Sequence, residues 1–256
     1  MNKDQKANLL TLLTAGVRVD GRAVDQYREV TIKKGTIETA EGSAELHIGD
    51  THVIAGVKME AGTPFPDTPD EGVLMVGVEL SPLASPDFET GPPSFDAIEL
   101  ARVTDRGIRE SKSIDVKKLC ITKGEKVWIV NVDICIINDA GNLFDACSLA
   151  AIAAIQDAKI PEFKDGSADY SKKTKKGLPL SKIPLGITIL KIGNHFVVDP
   201  TKEEREGLDA RLTITTVDDG TICALQKGGE GTLTKEDVLT MVDLAQEKAK
   251  ELRKKL

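Results

Sequence analysis

The chain has 256 residues, with 34 lysines and arginines against 41 aspartates and glutamates, a formal charge of −7, and 40% hydrophobic residues. That length buries a substantial core in one large domain or two small ones, and the acidic balance excludes a general nucleic-acid coat, so any basic track has to be local. No apolar run reaches membrane-spanning length, and the opening stretch MNKDQKANLLTLLTAGVRVDGR is amphipathic and acid-bearing where a signal peptide is apolar; a cytoplasmic protein with no membrane attachment is expected.

In chain order, LHIGDTHVIAG (46–56) reads as strand, tight turn, strand, with Gly49 and Asp50 as the turn residues a short hairpin wants. VLMVGVELS (73–81) follows as a strand between loops rich in Pro, Gly and acids at 62–72 and 81–93, and a helical pattern covers 94–114. EKVWIVNVDICIIND (125–139) is β-branched and apolar and predicts a strand pair exposed at a sheet edge. LFDACSLAAIAAIQDA (143–158) predicts a helix apolar over most of its circumference, sandwiched between layers, whose small residues allow close approach to a sheet. Residues 164–182, which include SKKTKKG, predict a solvated linker whose four lysines could also contact a polyanion. LKIGNHFVVDP (190–200) then repeats the hairpin pattern with Gly193 and Asn194 at the turn, followed by a strand at 210–217 and a helix at 234–255. Two copies of a hairpin–strand–helix unit are implied.

Within the first helix, ELARVTDRGIRES (99–111) places Arg102, Arg106 and Arg109 in one arc, while Ala97, Leu100, Ala101 and Ile108 fall opposite. Two readings stay open from these residues. One is a solvated face laced with ion pairs, Glu99 with Arg102, Asp105 with Arg109 and Arg106 with Glu110; the other is a binding surface for an anion. Cys120, Cys135, Cys147 and Cys223 have no C-x-x-C spacing, and three of them lie among Val, Ile and Leu, so neither a zinc site nor a disulfide framework is expected. His47, His52 and His195 sit in or near short strands ending in turns and read as surface or capping histidines. No metal and no cofactor is assigned.

Taken in order, RVDGR (18–22), EGSAELHIGDTHVIAGVK (41–58), DTPDEG (67–72), ELARVTDRGIRES (99–111), DAGNLFDACSLAAIAAIQDA (139–158) and VVDPTKEE (197–204) resemble the RNase PH family, and within it the non-catalytic ring subunits of the archaeal-type exosome. The likeness covers essentially the whole chain. It implies an α+β RNase PH fold (ribosomal protein S5 domain 2-like), with helices packed on mixed β-sheets, as a single domain over 1–256. Its parts would be an N-terminal core with a leading helix (1–163), a lysine-rich loop (164–182) and a second half (183–256).

Active members of that family shorten RNA from its 3′ end with inorganic phosphate as nucleophile. They carry a Gly-Ser/Thr-Arg segment ahead of the central helix, where amides, a hydroxyl and a guanidinium cradle the phosphate. Gly141, Asn142 and Leu143 stand there in this chain, and Asp145 follows. Leucine neither donates a hydrogen bond nor neutralises an anion, so the resemblance implies a degenerate phosphate site. The carboxylate region keeps Asp199, Glu203 and Glu204, but Arg211 stands where a later aspartate is expected, with Asp209 one alignment shift away. A structural role for Asp199 and Glu203 is an Asp-Pro-Thr turn that starts a short helix with acids in its first turn.

The resemblance therefore implies a subunit without catalysis of its own. It would alternate with a catalytic RNase PH-like subunit in a hexameric ring, beneath S1/KH-type RNA-binding cap subunits. Single-stranded RNA would pass along Arg102 and Arg106, with Arg109 a weaker contact. The alternatives are an active phosphorolytic exoribonuclease or nucleotidyltransferase, and a ring scaffold that never touches RNA.

Overall fold

Two hairpins, each closed by a glycine in the left-handed region, set the frame of the molecule. The computed structural model describes residues 1–164 and 166–256, the side chains of 171–173 excepted. Strands β1 (Val30–Lys34), β2 (Gly42–Ile48), β3 (Thr51–Gly62), β4 (Val73–Leu80), β5 (Cys120–Thr122) and β6 (Lys126–Asn138) form the first sheet in the order β1-β2-β3-β6-β4, with β5 also paired to β6. All its pairings are antiparallel except β4 with β6. Gly49, at φ 55°, turns β2 into β3. The period of two along the strands buries Leu46, Ile48, Val53, Ala55 and Val57 on one face and leaves Glu45, His47 and His52 on the other.

The second sheet, β9 (Leu185–Ile192), β10 (His195–Val198), β11 (Ala210–Thr216) and β12 (Ile222–Gly228), is antiparallel in the order β10-β9-β11-β12, with Gly193 at φ 60° in its hairpin. Helix α3 (Leu143–Asp157) lies between the sheets, packed on β2 and β3 on one side and β9 on the other. Its alanines allow the approach that its sequence predicts. A Cβ at Gly42 would sit 2.4 Å from Ala158 Cα, so β2 touches the end of this helix backbone to backbone. Truncating a fully buried side chain such as Leu149 to alanine is expected to cost about 2–5 kcal/mol. Helix α5 (Lys235–Arg253) covers β9 and β11, α2 (Phe95–Glu110) covers β4 and reaches β12, and a single apolar core runs through both halves. Leu9 and Leu13 of α1 (Lys3–Thr14) add a satellite cluster against Leu190, Ile192 and Val197.

Three expectations change. Residues 126–138 form one long strand, β6, and it is interior, because β3 and β4 both pair with it; the edges of this sheet are β1 and β4. The lysine-rich segment is not a loop: β7 (Lys159–Lys164) and β8 (Ser167–Gly177) form a separate hairpin. Phe163 of β7 packs edge-on against Trp128 at 6.0 Å between ring centroids, which anchors one strand while Lys175 and Lys176 of the other are exposed as on many edge strands. Lys172 and Lys173 lie outside the described side chains. Finally, the two hairpins do repeat, but their following strands do not: β4 joins the sheet through β6, whereas β11 pairs directly with its own hairpin through β9.

Candidate nucleic-acid interface and adjoining pocket

Helix α2 starts at Ser94, whose hydroxyl accepts from the Ala97 amide, and buries Ala97, Leu100, Thr104, Gly107 and Ile108. Gly107 matters to this packing, because a Cβ there would come within 3.1 Å of Thr215 on β11. The opposite face is exposed. Arg102 and Arg106 line a groove with Phe95, Ile98, Glu99, Val103 and Gln226, and neither has an ion-pair partner among the described residues. Of the three local pairs that the spacing allows, only Asp105 with Arg109 forms, at 2.7 Å. Arg109 also donates to the Leu74 carbonyl at 2.9 Å, so its guanidinium clasps β4 and is drawn away from the other two.

Glu99 explains why Arg102 is unpaired. Its carboxylate turns the other way and takes Arg211 of β11 at 2.6 Å. Arg211 also stacks on the Phe144 ring, 4.0 Å from the centroid, at the first turn of α3. The two groups stand in a pocket of about 400 Å³ whose lining includes Asp87, Asp96, Asn142, Leu143 and Arg205. Arg205 is held by Asp139 at 2.9 Å. The lining thus carries three carboxylates, Asp87 (paired with Lys202), Asp96 and Glu99, against two guanidiniums that already have acidic partners. That balance is unfavourable for phosphate.

The expected phosphate loop forms the corner of this pocket. Gly141 at φ 99° is obligatory, since a Cβ would meet the Pro200 carbonyl at 2.4 Å. Asn142 caps α3 in the left-handed region, and its Nδ2 donates to Asp199 at 2.9 Å and Asp145 at 3.1 Å. Leu143 is buried. Asp145 does not face the pocket: it is fully buried and accepts from the Tyr27 hydroxyl, Asn142 and the Thr188 amide. Burial outweighs those donors and pushes its carboxyl up to about 7.

Asp199, Glu203 and Arg211 do not converge. Asp199, at φ 47° and wholly buried, accepts from Arg22 at 2.8 Å, from the Arg28 guanidinium and amide, and from Asn142. Although its burial acts the other way, these donors, Arg28 foremost, hold it below the ordinary carboxylate range. Glu203 is exposed on the short helix α4 (Lys202–Glu206), while Glu204 is the buried neighbour, closing a capping box with Thr201 and pairing with buried Arg18. Asp209 binds Lys6 and the Gly193 amide, away from the pocket. Sequence reasoning named RVDGR without a role; its Arg18 and Arg22 tie the amino-terminal segment to the residues around Asp199. It missed Arg28, Phe144 and Arg205 altogether, because nothing in their local spacing marks them. It also treated His47 and His52 singly, whereas the hairpin stacks them beside Glu45.

The family model described as 3′ exoribonuclease family, domain 1, matches residues 26–161, and the one described as domain 2 of that family matches residues 182–248. Exosome complex component Rrp42 of Methanocella arvoryzae is 48% identical over 248 residues, covering 97% of this chain and 94% of its own. The component of the same name from Thermoplasma acidophilum is 48% identical over 255 residues, covering 100% and 96%. A chain of the Archaeoglobus fulgidus exosome with RNA bound to the active site matches with a TM-score of 0.92 at 48% identity, covering 98% of this chain and 97% of that one. Rice Rrp46, at a TM-score of 0.67 and 18% identity, covering 92% and 96%, shares the fold. The hairpin frame, the helix between two sheets and two successive family matches lead to one conclusion: this chain belongs to the RNase PH family of 3′ exoribonucleases.

Proposed function

We propose that the chain is a non-catalytic subunit of an exosome core ring, where it supports a catalytic RNase PH-like partner and contributes Arg102 and Arg106 to the RNA path. The observation that carries this reading is the position of Arg211. By pairing with Glu99 and covering Phe144 it occupies the pocket in which a phosphorolytic site would need open donors, and by the same contact it leaves Arg102 without its local acid. One side chain thus accounts for both a pocket whose guanidinium is already engaged and a free arginine face. The relatives support the assembly: proteins named as exosome components match over nearly their full length, and one matching structure is an archaeal exosome core, at a TM-score of 0.87 and 43% identity.

In this role the protein performs no bond-breaking step. Two guanidiniums one helical turn apart neutralise successive phosphates of a single strand without reading bases, and they hold it on course toward the partner's site. S1/KH-type caps and a hexameric alternation belong to the same proposal, as does a cytoplasmic location; no described helix is long and apolar enough to cross a membrane. The test is reconstitution. The purified chain with RNA and phosphate should release no nucleoside diphosphates, and addition of the catalytic partner should start decay. Phosphate-dependent decay by the chain alone would overturn the reading.

A further inference from the structure

The outward face of the first hairpin carries three metal-ligating side chains that lie apart from the arginine face and the pocket. Glu45 and His47 are two residues apart on β2 and share a face, and His52 on β3 lies directly across from His47. Ile48 and Thr51 close the two-residue turn, so His47 and His52 are the next, non-hydrogen-bonded pair, in which facing side chains come closest. Their rings stack with centroids 4.0 Å apart at 17°. Oε1 of Glu45 stands 3.5 Å from Nε2 of His47 and 3.0 Å from Nε2 of His52, so both imidazole edges address one carboxylate oxygen. The ligand atoms all lie within 4.8 Å of one another, and Nε2 of His52 is shielded from solvent and faces Glu45 Oε1.

We infer that Glu45, His47 and His52 form a binding site for a late first-row divalent metal ion of the zinc type, independent of the RNA reading. Separations of 3.0 and 3.5 Å are the edges of a coordination shell with bonds of about 2.0–2.2 Å. Two imidazoles and one carboxylate select zinc, nickel or copper over magnesium or calcium. The rings reach the ion by turning about χ2, a broad torsion for histidine, and water completes the shell. Lys33, opposite Glu45 on β1, opposes a cation and limits the affinity. The ion would staple β2 to β3 next to their turn.

The experiment is zinc binding to the full, tag-free chain at pH 7.5, measured by competition with a chromophoric chelator. One equivalent with a Kd on the order of 1–10 µM is expected, together with a rise in melting temperature. H47A and H52A, each checked by circular dichroism, should weaken binding at least about tenfold, E45Q should do likewise, and H195A should leave it unchanged. Cobalt substitution gives an independent readout, a visible d–d band that H52A removes. If an alanine variant does not fold, H47Q and H52Q replace it on the same exposed face. No binding tighter than about 100 µM, or binding unaffected by either histidine substitution, would overturn the site.

Discussion

The Asp199 cluster and the outer face of α2 are both rich in arginine, yet their charges do opposite things. Around Asp199 the guanidiniums of Arg22 and Arg28 are turned inward onto one buried carboxylate, and Arg18 does the same with Glu204. On α2, Arg102 and Arg106 project into a groove that Glu99 also lines, but Glu99 is paired with Arg211 and not with them. The first set joins segments more than 170 residues apart in the chain and is structural. The second is free to meet a ligand. What separates them is where the nearest carboxylate sits after folding, and for α2 that was decided when Glu99 turned to Arg211.

The sharpest way to break this contrast is D199A, which strands two buried or half-buried guanidiniums and should cost about 3–5 kcal/mol in denaturant unfolding. A loss under about 1 kcal/mol would mean that the cluster is not a structural centre.

Asp145 sharpens the same region through pH. Its folded pKa, raised by burial to about 7, lies above the ordinary 3.8, so between about pH 4 and pH 7 the unfolded chain gives up a proton that the folded chain keeps. Stability attributable to this residue is full below that window, falls as pH rises through it, and levels off above, by on the order of 4 kcal/mol. Unfolding of D145N, which cannot titrate, should lack that slope. Identical pH profiles for the two proteins would place the ionisation elsewhere.

On the exposed side, R102E with R106E in the assembled complex should reduce RNA affinity and slow decay while shifting stability by only about 0.5 kcal/mol per site. Each lost phosphate contact should lower the salt slope by about 0.7, with little base dependence. Earlier melting with unchanged RNA affinity would assign these arginines to the structural class instead.

The smallest effect expected is also the most diagnostic. R211A removes a partly exposed ion pair and a ring contact, for about 1 kcal/mol, and returns Glu99 to within reach of Arg102, three residues along the helix. RNA affinity of the complex should then fall about twofold although neither Arg102 nor Arg106 has changed. Unaltered affinity would uncouple the Arg211 contact from the free arginine face.

Much of this architecture is legible in the order of the residues alone. Glycine turns flanked by alternating residues specify hairpins locally, the helical period separates the buried side of α2 from its arginines, and leucine at 143 withholds a guanidinium wherever that residue lies. What the sequence could not show were choices among partners of equal chemistry. Glu99 could pair with Arg102 one turn away or with Arg211, 112 residues away; the tertiary structure chose the distant one, because β11 packs close enough to bring Arg211 over Phe144. Asp199 reads as a turn-forming acid in one dimension and becomes the buried partner of two arginines in three. β6 looks like an edge until β3 and β4 arrive on either side, and His47 and His52 look like separate surface residues until the register places them face to face. Periodicity and turn chemistry act over a few residues, so sequence alone reveals them; ion-pair selection, burial and strand neighbours depend on which distant segments the core brings together.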